Sequence, residues 1–176
     1  MNKGYVGALI AGAMLVSATA AQAAVHRVYP GDSIQAAINI AEPGDTVLVE
    51  PGEYRESDNG RYGLRIQTDN IRLIGKVKKG RGEDGKVRLV VNQDQETGVY
   101  AAPSGCDYDV QDNTPEGIEC RSRELQGFYI RGFTVEDFPK NGIQTRWVDG
   151  FEFVSNESAR NGYKNGNGFY PTLSAN

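Results

Sequence analysis

Apolar residues recur with a helical period near the start of the chain and with a period of two after it. Four of them are spaced i, i+3, i+4 and i+7, which places them on one helical face: Ile34, Ala37, Ile38 and Ala41. The pattern predicts a helix from residue 33 to about residue 41, with Asp32 as its N-cap and Gln35 closing a capping box. Pro43 and Gly44 would end this helix. Because a helix this short is not stable alone, we expect its apolar face to lie on the rest of the protein.

From residue 47 onward, apolar and mostly polar residues alternate in a series of short segments. A period of two is typical of β-strands that bury one face. The residues expected to point into the core are Val47, Val49, Leu64, Ile66, Ile71, Leu73, Val87, Leu89, Phe128, Ile130, Phe133, Val135, Ile143, Phe151 and Phe153.

Two motifs return at similar spacing in the second half of the chain. Gly-Phe-Tyr-Ile at 127–130 returns 23 residues later as Gly-Phe-Glu-Phe at 150–153, and Asn-Gly at 141–142 returns 26 residues later at 167–168. Repeats of this length, built from short strands, are typical of solenoids, and Asn and Gly tolerate the backbone angles that the corners need. The alternative is a β-sandwich with hairpin turns, which needs no fixed repeat. The spacing favours an all-β fold of stacked parallel coils.

The composition excludes several classes of protein. A chain of 176 residues is normally one domain. Nineteen Lys and Arg stand against 23 Asp and Glu, and this net charge of −4 argues against a nucleic-acid partner. One His and two Cys are too few for a dense His/Cys metal site.

Residues 1–23 have the pattern of a secretory signal peptide. Lys3 supplies a positive charge, residues 6–20 are apolar, and Ala-Gln-Ala at 21–23 is a cleavage sequence of the usual kind. The alternative is a membrane-anchored N-terminus, but the apolar run is shorter than the roughly 20 residues that a spanning helix needs. We therefore expect a secreted or periplasmic protein with no membrane span after cleavage, whose residues 24–176 form one domain.

The segment 104–124 interrupts the repeat and carries both cysteines. In an oxidising compartment Cys106 and Cys120 would pair as a disulfide, the alternative being two free thiols. Asp107, Asp109 and Asp112 could supply oxygen ligands to Ca²⁺. They lack the Gly and the terminal Glu of an EF-hand loop, which favours the alternative of a solvated acidic loop.

Three sequence runs near the start carry a family resemblance: GDSIQAAI at 31–38, AEPGDTVLV at 41–49 and PGEY at 51–54. They resemble the opening of right-handed parallel β-helix proteins, the pectate-lyase-like superfamily, and most of all exported parallel β-helix repeat domain proteins. The resemblance implies a right-handed coil whose N-terminal end is plugged by the helix. The superfamily includes polysaccharide lyases and epimerases, but no segment here matches a lyase motif, so no catalytic residue is assigned.

Members of that superfamily usually stack more coils than the four to five counted here. We therefore expect this chain to be the N-terminal portion of a longer protein or of a truncated gene, incomplete at its C-terminus. The alternative is a genuine small solenoid whose open end pairs with a partner, including end-to-end self-association.

Arginine and aromatic residues fall at or next to outward strand positions, where a solenoid would stack them on one long face. Such residues can pair with carboxylates and stack on sugar rings, although a scaffold surface of mixed charge is the alternative. The candidate ligand-binding residues are Arg65, Arg72, Tyr129, Arg131, Arg146 and Trp147.

The sequence thus predicts an exported, non-catalytic β-helix module that binds a polysaccharide or a cell-surface partner and needs no cofactor, although Ca²⁺ could bind at Asp107, Asp109 and Asp112. The alternative is the front part of a polysaccharide lyase or epimerase whose catalytic coils lie beyond residue 176.

Overall fold

The structure is a computed structural model that describes residues 22–57 and 59–174. The predicted signal peptide lies outside the described residues apart from its last two positions, so its presence and cleavage stay a prediction. Neither α-helix of the described ranges is long and apolar enough to cross a membrane.

The described residues form short strands with two α-helices and one 3₁₀ turn at Gly82–Gly85. The helices are α1, Ile34–Ile40, and α2, Pro115–Ser122. The strands are β1 Val25–Val28, β2 Thr46–Val49, β3 Gly52–Tyr54, β4 Tyr62–Ile66, β5 Ile71–Gly75, β6 Val87–Val90, β7 Thr97–Ala101, β8 Leu125–Arg131, β9 Phe133–Glu136, β10 Ile143–Arg146, β11 Val148–Val154, β12 Glu157–Ala159 and β13 Phe169–Thr172.

The strands form three parallel sheets around one core. The first sheet has the order β1-β2-β5-β8-β11, the second β3-β6-β9-β12 and the third β4-β7-β10-β13. From β2 onward, each set of three consecutive strands contributes one strand to each sheet, and every strand pair is parallel. The chain is therefore an all-β parallel solenoid, as the repeat spacing predicts, and its described strands show none of the hairpin pairing of a sandwich.

The apolar residues predicted to point inward stack from coil to coil. In the first sheet Val47 lies opposite Leu73, Leu73 opposite Ile130, and Ile130 opposite Phe153. All of the predicted core residues are buried except Phe151 and Phe153, which are half-buried against the core. Both lie on β11, which no further strand of the described residues covers.

Helix α1 covers one end of the core. Ile34 and Ile38 are fully buried, and the helix packs on β1, β2 and β4. The predicted N-cap is wrong: Ser33 caps the helix, accepting a hydrogen bond from the Ala36 amide, whereas Asp32 accepts one from the Tyr29 amide instead.

Glu56 also caps the N-terminus of α1, although no local sequence pattern indicates it. Its carboxylate accepts hydrogen bonds from the Ile34 amide (2.7 Å) and from the Ser33 hydroxyl (2.6 Å). A negative charge at this position complements the helix dipole. Gln35, expected in the capping box, instead exchanges hydrogen bonds with the backbone of Arg65 and so ties the helix to β4.

Asparagine side chains join successive coils at the corners. Asn161 accepts a hydrogen bond from the Phe138 amide (2.8 Å) and donates one to the Val135 carbonyl (2.7 Å). Asn156 makes the corresponding pair of bonds to the Phe133 amide and the Ile130 carbonyl. These bonds satisfy backbone groups that the strands leave unpaired, which explains why Asn recurs in the repeat.

Asp45 attaches the first strand to the second coil. Its carboxylate accepts hydrogen bonds from the backbone amides of Ala24 (2.6 Å) and Glu42 (2.9 Å), and it lies 2.8 Å from Nε2 of His26. The hydrogen bonds with His26, Glu42 and Ala24 lower the pKa of Asp45 to about 2.

This arrangement is expected to make the fold sensitive to acid. A carboxyl whose pKa is lowered by folding contributes stability above its unfolded pKa, and loses that contribution as the pH falls to its folded pKa. Between about pH 4 and pH 2, the urea midpoint of the wild type should therefore fall further than that of Asp45→Asn. Equal falls for the two proteins would contradict this account.

Candidate functional site

The outer side of the first sheet presents its side chains in rows, because its strands pair in register. We call this surface the first-sheet face. One row contains Thr46, Arg72, Tyr129 and Glu152, and the next contains Leu48, Ile74, Arg131 and Val154. The face thus brings together three of the predicted ligand-binding residues, from two neighbouring strands.

A column of residues with left-handed backbone runs along one side of this face. Gly44, Asn70, Gly127 and Gly150 have φ values of 94°, 55°, 60° and 74°, one on each successive coil. A Cβ at position 127 would collide with the side-chain oxygen of Asn70, so glycine is required there. With so few side chains along the column, a groove of about 480 Å³ opens beside Arg72, Tyr129 and Glu152. We call it the glycine groove.

Arg72 lies over the aromatic ring beside it. Its guanidinium carbon is 4.1 Å from the ring centroid of Tyr129, on the next strand. Such a cation–π contact stabilises the pair modestly at an exposed position. It also holds the planar guanidinium over the ring at the edge of the glycine groove.

Two of the three arginines of the first-sheet face lack acidic partners; the third, Arg27, lies in register with Leu48 and pairs with Glu50. Arg72 and Arg131 are exposed, and neither makes an ion pair with any described residue. The other arginines on strands do make such pairs, with the partners Arg27–Glu50, Arg65–Asp107, Arg88–Glu136 and Arg146–Asp112. Arg72 lies opposite Tyr129, two residues before Arg131, on adjacent parallel strands, so the strand spacing and the rise per residue place the Cα atoms of the two arginines roughly 8 Å apart. One ligand with closely spaced negative charges can therefore reach both.

Arg65 lies elsewhere, on β4 of the third sheet. It is half-buried, and its guanidinium pairs with Asp107 at 3.1 Å. It lines a separate cavity of about 560 Å³ together with Arg61 and Tyr62. Its side chain does not reach the first-sheet face.

Arg146 and Trp147 lie on the outer side of the third sheet, as the strand pattern predicts, but their expected exposure is wrong. Trp147 is fully buried, and Arg146 is 7% exposed. The segment between β7 and β8 folds over the outer side of the third sheet, and Arg146 donates hydrogen bonds to its carbonyls at Tyr108 and Val110 and to the Asp112 carboxylate. The covering residues lie more than 30 positions away in sequence, so the strand pattern alone predicts exposure.

The predicted disulfide between Cys106 and Cys120 is confirmed. Both cysteines are buried in a second small core, outside the third sheet, where Tyr62 and Tyr100 stack with ring centroids 4.5 Å apart. Trp147 completes this core. The disulfide therefore closes the covering segment around an aromatic cluster.

The three aspartates of the covering segment each pair with a different arginine. Asp107 pairs with Arg65, Asp109 with Arg61 and Asp112 with Arg146. Within residues 22–57 and 59–174, no group of three or more His, Cys, Asp or Glu side chains is placed to hold a metal ion. A calcium ion here stays a prediction, and these pairings do not add support to it.

A cluster that sequence reasoning missed surrounds Tyr108. Its hydroxyl donates to the Glu96 carboxylate (3.0 Å) and accepts from Nζ of Lys140, which itself lies 3.1 Å from Glu96. The guanidinium of Arg61 lies 4.5 Å from the Tyr108 ring centroid. The hydrogen bonds to Tyr108 and Glu96 raise the pKa of Lys140. Although burial opposes it, the bonds from Lys140 and Tyr108 lower the pKa of Glu96. Both groups are held in their charged forms, and no sequence signal links residues so far apart.

Comparison with known families gives one match. Residues 21–161 match the family described as "Protein of unknown function (DUF1565)", and this range includes the whole glycine groove. No curated protein and no solved structure matches the chain.

Proposed function

We propose that this chain, which belongs to the DUF1565 family, binds an acidic polysaccharide on its first-sheet face. The observation that carries the proposal is the pair of exposed arginines without acidic partners on this face: Arg72, which lines the glycine groove, and Arg131, which lies in the neighbouring row. Because the other strand arginines are paired, these two guanidiniums are the strand arginines of the described residues that remain free to take an external anion.

The chemistry of these residues suits a polymer that carries carboxylates. A guanidinium binds a carboxylate through two parallel hydrogen bonds. Tyr129, with Arg72 over one face of its ring, offers further apolar ring surface to a sugar beside the two arginines. Neighbouring strands of a sheet lie 4.7–4.9 Å apart. A chain of uronate residues that lies along the solenoid axis would therefore contact equivalent backbone positions on successive coils.

We also propose that the protein is exported and that it is related to the pectate-lyase-like superfamily. The disulfide supports export, because such bonds persist in oxidising compartments. The parallel coil, with α1 covering one end of its core, supports the relationship. A helix at this end shields apolar side chains that would otherwise face water.

The test is affinity electrophoresis of the chain through gels that contain polygalacturonate. We expect retardation by this polymer and none by its fully methyl-esterified form, which lacks the charges. The double variant Arg72→Gln/Arg131→Gln should lose about tenfold in affinity, because each exposed ion pair contributes up to about 1 kcal/mol. Each single variant should lose about threefold.

The matched control is Arg121→Gln, which removes an exposed arginine from α2, away from the groove. It should bind as the wild type does. Equal retardation of the wild type and the double variant would exclude the first-sheet face as the binding surface. Formation of an unsaturated product, seen as ultraviolet absorbance, would show a lyase instead of a binding module.

A further inference from the structure

A second polar cavity lies on the outer side of the third sheet, next to the covering segment. It has a volume of about 270 Å³ and is separate from the glycine groove. Strands β7, β10 and β13 contribute to its lining through Thr97, Gln144 and Tyr170. Lys140 and Arg146 also line the cavity and are its charged side chains.

The described residues that line this cavity carry positive charge only. Lys140 and Arg146 are its two charged side chains, and their partners Glu96 and Asp112 do not line it. The anionic partners thus neutralise the two cations from outside the cavity. A negatively charged group that entered would meet two cations and no carboxylate.

Two buried polar atoms of the lining residues have no hydrogen-bond partner. They are Nε of Arg146 and the hydroxyl oxygen of Thr172, on residues that lie opposite each other on β10 and β13. Arg146 is more than nine-tenths buried. Buried polar groups are normally satisfied, so two neighbouring exceptions at one cavity point to a missing partner.

Gln144 supplies a third hydrogen-bond donor beside these two atoms. Asn141 donates to the side-chain oxygen of Gln144 at 2.8 Å, which leaves the Gln144 amide nitrogen as the donor available to a ligand. Gln144 is itself buried. At the mouth, Tyr170 is 40% exposed and presents an aromatic ring.

We propose that this cavity binds the carboxylate of a single hexuronate residue. Lys140 and Arg146 line the position of the carboxylate, the Arg146 Nε, the Gln144 amide and the Thr97 hydroxyl donate to it, and the Tyr170 ring packs on the sugar. The choice of an acidic sugar rests on the proposed function. The cavity itself stands on its own residues, none of which belongs to the first-sheet face.

The test is a titration of the isotope-labelled chain with galacturonate, followed by NMR. The Gln144 side-chain amide and the Arg146 Nε–H should shift saturably with galacturonate, and should not move with galactose at the same concentrations. Lys140→Gln should weaken this binding by about tenfold, as expected when one charged hydrogen-bond partner is lost.

Because Lys140 also bonds Glu96 and Tyr108, a second variant is needed that leaves that cluster intact. Thr97→Val removes a hydroxyl from the lining and should weaken binding by about threefold. The control Arg72→Gln/Arg131→Gln should keep the galacturonate shifts while it loses retention by polygalacturonate.

Absent shifts at Gln144 and Arg146, equal shifts with galactose, or full affinity in both Lys140→Gln and Thr97→Val would overturn the proposed cavity. Acetate that binds as tightly as galacturonate would overturn the assignment of a sugar. Polymer retention by a wild type that shows no cavity shifts would refute this site and leave the function of the first-sheet face supported.

Discussion

Replacement of Arg146 with alanine is expected to destabilise the protein by about 3 kcal/mol. This guanidinium donates to two carbonyls of the covering segment and to the Asp112 carboxylate, and it lies 4.0 Å from the Trp147 ring centroid. Its removal leaves buried acceptors unsatisfied. The segment between β7 and β8 would then keep its aromatic contacts with the third sheet and the ion pairs of Asp107 with Arg65 and of Asp109 with Arg61.

Urea unfolding followed by tryptophan fluorescence measures this effect directly, because the single Trp is the one that Arg146 covers. Arg121→Ala is the matched control, since it removes an exposed arginine from the same segment. The control should change stability by less than about 0.5 kcal/mol. A similar small change for Arg146→Ala would show that the aromatic core alone holds the segment in place.

Leu73→Ala should also cost about 2–5 kcal/mol. Leu73 is fully buried and stacks between Val47 on the coil before and Ile130 on the coil after. Truncation of its side chain leaves a cavity that two coils share and that a stacked ladder cannot easily close. The unfolding transition should therefore shift to lower urea concentration.

The neighbouring variant Arg72→Ala provides the comparison within one strand. Arg72 points outward, and its contact with Tyr129 accounts for less than about 1 kcal/mol. If Arg72→Ala destabilises the protein as much as Leu73→Ala does, then the side of the strand that faces the core has been misassigned.

Strands with alternating patterns could be found from the sequence, including β9 and β10, all of whose residues are buried, whereas β7 could not. The segment Leu64 to Ile66 alternates, and its two apolar residues are buried in the core as predicted. All five residues of β7, Thr97–Ala101, are buried, because the covering segment lies on their outer side. These residues show no period of two. The short strand β3 starts at Gly52, although a Pro-Gly pair such as Pro51-Gly52 is typical of a turn.

The candidate site could likewise be predicted from the sequence only in part. The outward positions of Arg72, Tyr129 and Arg131 follow from local alternation, and the structure places them on one face. That Arg72 stacks on Tyr129 depends on register between coils 57 residues apart, which no local pattern encodes. The burial of Arg146 and the cap from Glu56 likewise depend on long-range contacts.

The covering segment leaves the solenoid and returns to it without a change of register. Phe128 lies opposite Ile71, 57 positions earlier, and Phe151 lies opposite Phe128 after only 23. The ladder of paired strands continues in register on both sides of the covering segment. This corner is therefore a natural insertion point, at which a protein engineer could exchange the disulfide-closed segment for a foreign peptide and display it on a rigid scaffold.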